Sequence, residues 1–143
     1  MATEIQERCE TIEECYEFTL SYAALGLSSD EGSAQGRQLR DRLTRAVQAM
    51  RGLEQSYQAA IKQEGLEPAA SHEAFTSILA RDAGSALTAY ELVLAQAGIS
   101  SQLIDNLNAS LHVRALLTDL FLITEILQTH QVRMAQPVLR ETD

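Results

Sequence analysis

The sequence predicts an all-α protein that folds as an antiparallel, up-down four-helix bundle and forms a homodimer. The chain is rich in the good helix formers Ala, Leu, Glu, Gln and Arg, and only 5% of its residues are aromatic, which favours helix over strand. Apolar residues recur every three or four positions in four long segments. At 143 residues the chain has the size of one domain. We assign residues 1–131 to a single four-helix bundle and residues 132–143 to an irregular tail that contains Pro137.

The first predicted helix runs from about Thr3 to Leu25, and Gly26 is placed to end it with a left-handed cap. Its main apolar stripe consists of Ile5, Cys9, Ile12, Tyr16, Leu20 and Ala23. Cys15, Phe18 and Tyr22 lie on an adjoining flank. The apolar face is therefore wider than one neighbouring helix would cover.

The stretch GLSSDEGSAQG is predicted as a loop, and the start of the second helix within it stays open. The second helix then carries an apolar seam made of Leu39, Leu43, Ala46, Met50, Leu53, Tyr57 and Ala60. Gly65 and Pro68 end this helix, and Ser71 is the predicted cap of the third. The third helix carries a stripe that includes Asp82, and Gly98 closes it.

The fourth helix is predicted from Ser100 or Ser101 to about His130, and its second half is apolar on nearly every side. Such a helix is buried on more than one side, which indicates contact with a second copy of the chain. The predicted interface on this helix and on the first comprises Leu116, Leu120, Ile123, Leu127, Phe18 and Tyr22.

Two charged residues fall inside core arcs of the predicted helices. Asp82 lies 17 residues before the turn near Ile99 and Arg114 lies 15 after it, so the two should be level and form a buried ion pair. The simplest interpretation is that this pair fixes helix register. The alternative is a polar pocket that binds a small anionic ligand, with Tyr57 and Cys9 at the same level.

Composition and motifs exclude several classes of function. A formal net charge of −9 disfavours nucleic-acid and membrane-surface binding. We find no Glu-x-x-His pair, no closely spaced zinc ligands, no phosphate-binding glycine loop and no nucleophile motif, so we predict no metal and no cofactor. Enzymatic activity therefore has no positive support, although the sequence leaves it open.

The N-terminal segment lacks the basic and apolar regions of a secretory signal, and no apolar run is long enough to span a bilayer. Cys9 and Cys15, six residues apart in one helix, are too far apart to pair and should be reduced thiols. The sequence thus predicts a cytoplasmic interaction protein, an adaptor or chaperone that associates with itself and with another protein. The rival hypotheses are the anionic-ligand pocket around Asp82 and Arg114 and a redox sensor that uses either cysteine.

Overall fold

A computed structural model describes residues 2–136 of the chain, and over this range it is all helical, with six α-helices and no strand. The helices are α1 Glu4–Ala24, α2 Ala34–Arg51, α3 Leu53–Glu64, α4 Ala69–Leu94, α5 Ser101–Ala109 and α6 Leu111–Met134. The all-α prediction is confirmed. The predicted number of helices is wrong, because the second and fourth predicted helices are each divided in two.

Gly52 divides the predicted second helix into α2 and α3. Its backbone leaves the helical region, with φ −103° and ψ 3°. The Arg8 side chain of α1 fills the space where a side chain at Gly52 would lie. Its Nη1 donates hydrogen bonds to the carbonyl oxygens of Gln48 and Ala49, at 3.1 and 3.2 Å. Arg8 therefore satisfies the last carbonyls of α2, which a helix end otherwise leaves unpaired.

Ser110 divides the predicted fourth helix into α5 and α6. Its backbone is extended at ψ 146°, and its hydroxyl accepts a hydrogen bond from the backbone N–H of Val113 at 3.3 Å, as an N-cap does. Because the backbone changes direction at Ser110, the buried face of α6 does not continue the buried face of α5. Helix α6 continues to Met134, so residues 132–134 are helical rather than part of a tail. The rest of the predicted tail, residues 137–143, lies outside the described residues.

Helix α1 packs against α2, α3, α5 and α6, while α4 packs against α2, α3, α5 and α6. The core between them is built from apolar residues at helical spacing, such as Ile5, Ile12, Leu39, Leu43 and Leu79. Among the described helices, none combines the length and the apolarity that crossing a bilayer requires.

Asp30 joins the two loops at one end of the molecule. Its carboxylate accepts hydrogen bonds from Arg40 Nε and from the backbone N–H of Ile99, each at 2.6 Å. Arg40 also donates to the carbonyl oxygens of Leu94, the last residue of α4, and of Gln96, which follows the helix. The hydrogen bond with Arg40 is the main reason why the pKa of Asp30 is lowered. We call this arrangement the Asp30 clasp.

Candidate functional site

Most of the predicted interface residues lie in the core of the chain itself. Leu116, Leu120, Ile123, Leu127 and Tyr22 are buried, and Phe18 is partly buried beneath the guanidinium of Arg42, 4.9 Å from its ring centroid. For the four residues on α6, the break at Ser110 accounts for this outcome, because it turns them toward α1 and α4. They are not available as a free surface of this chain.

Helix α6 exposes a different set of apolar side chains on its outer face. Phe121 is 55% exposed, and Leu122, Ile126 and Val132 are exposed to a similar extent. We call these four residues the α6 strip. At 1.5 Å per residue the strip extends about 17 Å along the helix. The apolar surface that the sequence predicted on this helix is therefore present, but it is formed by other residues.

The predicted ion pair between Asp82 and Arg114 is wrong. Arg114 is exposed on α6, and no ion pair joins it to Asp82 within the described part of the chain. Asp82 lies instead with its Oδ1 3.6 Å from Arg81 Nε and faces Asp119 of α6. Counting residues from the turn near Ile99 placed the partner of Asp82 at Arg114, five residues from Asp119. The count assumed that the fourth helix is straight.

Asp82 and Asp119 form a carboxyl pair between α4 and α6. Asp119 is 6% exposed, and its Oδ2 is enclosed with no N–H or O–H donor among residues 2–136. Burial is the main cause that raises the pKa of Asp119 to about 7, and the neighbouring Asp82 carboxyl raises it further.

Tyr57 and Cys9, the other predicted pocket residues, are both buried, and they have different neighbours. The Tyr57 hydroxyl lies 2.5 Å from Nδ1 of His72. Burial raises the pKa of Cys9 to about 11 and that of Cys15 to about 12. Both thiols are therefore protonated at neutral pH, which does not suit the redox-sensor hypothesis.

A groove runs between the first turns of α4 and the second half of α6. Its apolar part has a volume of about 430 Å³ and includes Tyr57, Phe75, Leu122 and Ile126 in its walls. The adjoining part, about 450 Å³, also has polar and charged side chains in its walls, such as Glu125, Thr129, His130 and Arg133. Glu67, His72 and Ile126 line both parts, so we treat them as one α4–α6 groove.

The sequence did not indicate His72 as a site residue, because it belongs to no Glu-x-x-His motif and no closely spaced set of metal ligands. It is 8% exposed and contacts Tyr57. The signal that could have found it is its spacing to Thr76, Leu79 and Ala83, which form the buried face of α4. The described residues contain no group of three or more His, Cys, Asp or Glu that could hold a metal ion.

The chain matches no model of a known protein family, and neither the curated proteins nor the solved structures contain a match to it.

Proposed function

We propose that this protein acts by association, as a small helical adaptor or chaperone-like protein whose contact surface is the α6 strip. One observation carries the proposal: four large apolar side chains lie exposed on one face of one helix. Single exposed apolar residues are ordinary on a protein surface, whereas several on one side of the same helix are typical of a contact site. The exposed charged residues Glu125 and Arg114 lie on the same side of α6, Glu125 among the strip residues and Arg114 two turns before Phe121.

The occupant of the strip that we propose is a second copy of the chain. Two-fold dimers are the commonest soluble oligomers, and a strip on one helix can pair with itself in an antiparallel arrangement of two α6 helices. We also propose that α2 with α3, and α5 with α6, each act as one rod of an antiparallel bundle. The packing of α1 against α2 and of α4 against α2, α3 and α6 supports this arrangement.

The setting we propose is the cytoplasm, where two buried, unpaired thiols would remain reduced. The net charge of −9 supports a protein partner rather than nucleic acid or an anionic membrane surface. The alternative of an anionic ligand held by Asp82 and Arg114 has lost its support. Arg114 faces solvent, and a pair of carboxyls at Asp82 and Asp119 would repel an anion.

Oligomeric state tests the proposal, with Phe121→Glu as the variant and Leu92→Glu as its control. Phe121 and Leu92 are both exposed large apolar residues, but Leu92 lies on α4, outside the strip. We expect the native mass to be twice the chain mass for the unmodified protein and for Leu92→Glu, and to equal the chain mass for Phe121→Glu. A monomeric unmodified protein would contradict self-association, and a dimeric Phe121→Glu protein would contradict the strip as its interface.

Charged substitutions at Leu120 or Ile123 are unsuitable for this test. Both side chains are buried in the core of the chain, so a charge there would destabilise the fold whether or not a dimer exists. Phe121 avoids that ambiguity because a glutamate at an exposed helix position remains in water.

A further inference from the structure

The α4–α6 groove has a polar group beneath its apolar walls. His72 lines both parts of the groove, and its Nδ1 is occupied by the Tyr57 hydroxyl at 2.5 Å. Phe75, Leu122 and Ile126 contribute apolar wall. A concave apolar site with one well-placed polar group is the usual form of a small-molecule site.

The hydrogen between Tyr57 and His72 can be assigned from their surroundings. Burial raises the pKa of Tyr57 to about 12, so the phenol keeps its proton at neutral pH. Its hydroxyl has no acceptor other than His72 among the described residues. The phenol therefore donates to Nδ1, and the neutral imidazole carries its own hydrogen on Nε2.

The Nε2–H of His72 is then a donor that the protein itself does not use. No side chain or carbonyl within residues 2–136 forms a hydrogen bond with it, and it is not among the fully enclosed polar atoms. A molecule that fills the groove can accept this hydrogen bond, provided that it carries an oxygen with a free lone pair.

The charged side chains around the groove limit which chemical group can carry that oxygen. Glu67 lines both parts of the groove and Glu125 lines one, against the single guanidinium of Arg133. With a net charge of −9 on the whole chain, the site repels a carboxylate. An ammonium group would be attracted by the glutamates, but it cannot accept a hydrogen bond from Nε2–H. The ligand oxygen that accepts the hydrogen bond therefore belongs to an uncharged group.

We propose that the α4–α6 groove binds a small, mostly apolar molecule with an uncharged carbonyl oxygen, which accepts a hydrogen bond from His72 Nε2–H. The apolar part of the groove, about 430 Å³, has room for a two-ring aromatic ketone. Leu122 and Ile126 belong to both the groove and the α6 strip, so the two proposed sites adjoin each other. Phe121 belongs to the strip alone, and a substitution there tests the dimer without changing the wall of the groove.

The first probe is prodan, a neutral naphthyl ketone whose emission moves to shorter wavelength in an apolar site. We expect a saturable shift with the full-length protein and the same shift with Phe121→Glu. The variant Ile126→Trp should remove it, because the larger ring fills the groove from an exposed position and leaves the core intact. Leu92→Trp is the matched control outside the groove and should bind as the unmodified chain does. Absence of the shift, or its survival in Ile126→Trp, would overturn the site.

Competition against prodan tests the chemical class of the ligand. We expect 2-acetylnaphthalene to displace it about tenfold better than 2-ethylnaphthalene, which has nearly the same shape without the oxygen. In His72→Phe that preference should disappear while prodan still binds. Equal displacement by the two compounds in the unmodified protein would overturn the role of His72. Stronger displacement by 2-naphthoate or by 2-naphthylmethylamine would overturn the choice of an uncharged ligand.

Discussion

Asp119 is an acid in a place that disfavours its charge. It is enclosed between α4 and α6, and its nearest ionisable neighbour is another carboxyl, that of Asp82. Burial is the main cause that raises its pKa to about 7, compared with 3.8 for an ordinary aspartate. Between about pH 4 and pH 7 the folded protein therefore binds a proton that the unfolded chain releases. The free energy of unfolding must fall as the pH rises through that window and level off above it.

We predict that Asp119→Asn is more stable than the unmodified protein at pH 8 by about 2 kcal/mol and loses this part of the pH dependence. The amide is uncharged at both pH values, so its burial does not carry the cost that the charged carboxylate carries at pH 8. Urea denaturation followed by circular dichroism at pH 5 and pH 8 measures the difference. Asp105→Asn, at an exposed position of α5, is the control and should keep the original pH dependence. The same pH dependence in Asp119→Asn and in the unmodified protein would show that the pKa of Asp119 is not raised in the folded chain.

The sequence could predict that a buried charge on α4 needs a partner, but it could not identify that partner. Asp82 was placed correctly on an inner face, and the count from the turn near Ile99 reached the right part of α6. The prediction failed at Arg114 because Ser110 leaves the helical backbone and resets the rotation of α6. Asp119 turns inward in its place. A helical wheel that ignores the break at Ser110 therefore places the residues of α6 at nearly the correct distance along the helix but on the wrong face of it.

At the scale of helices, the sequence was most reliable where the chemistry of helix ends is explicit. Ser100, one of the two predicted positions, caps α5 through its side-chain oxygen, and Thr3, predicted as about the first residue of the first helix, is the cap of α1. Ser71 was wrong as a cap, since α4 already begins at Ala69 after Pro68. The break at Gly52 depends on Arg8, a residue 44 positions earlier, and no local pattern could reveal that contact.

The Asp30 clasp joins two loops that would otherwise contribute little to stability. Removing its carboxylate leaves the Ile99 N–H without its acceptor and Arg40 without its counter-charge. We predict that Asp30→Ala lowers the free energy of unfolding by about 3 kcal/mol. Asp41→Ala is the matched control, because Asp41 pairs with Arg45 at the surface, where both side chains are largely exposed. In chemical denaturation, the free energy of unfolding of Asp41→Ala should equal that of the unmodified protein within error. Equal effects of the two substitutions would show that the clasp adds nothing.

For the whole molecule, the same charge that limits the choice of partners also opposes self-association. Each copy carries a formal charge of −9, so two copies repel at long range while their α6 strips attract at short range. Salt reduces the first effect, because the screening length falls from about 10 Å at 0.1 M to about 3 Å at 1 M. Salt does not weaken the second effect, the burial of apolar side chains between the two strips.

We predict that the dimer becomes about tenfold tighter when NaCl is raised from about 0.05 M to about 0.5 M. Sedimentation velocity over a range of protein concentrations would measure the dissociation constant at each salt. Phe121→Glu should remain monomeric at both salt concentrations, because it lacks the apolar contact that holds the two copies together once their charge repulsion is screened. A dimer that weakens as salt is added would be held by ion pairs between the copies rather than by the strip. Arg114 and Glu125, the exposed charged residues on the same side of α6 as the strip, would then be the residues to substitute first.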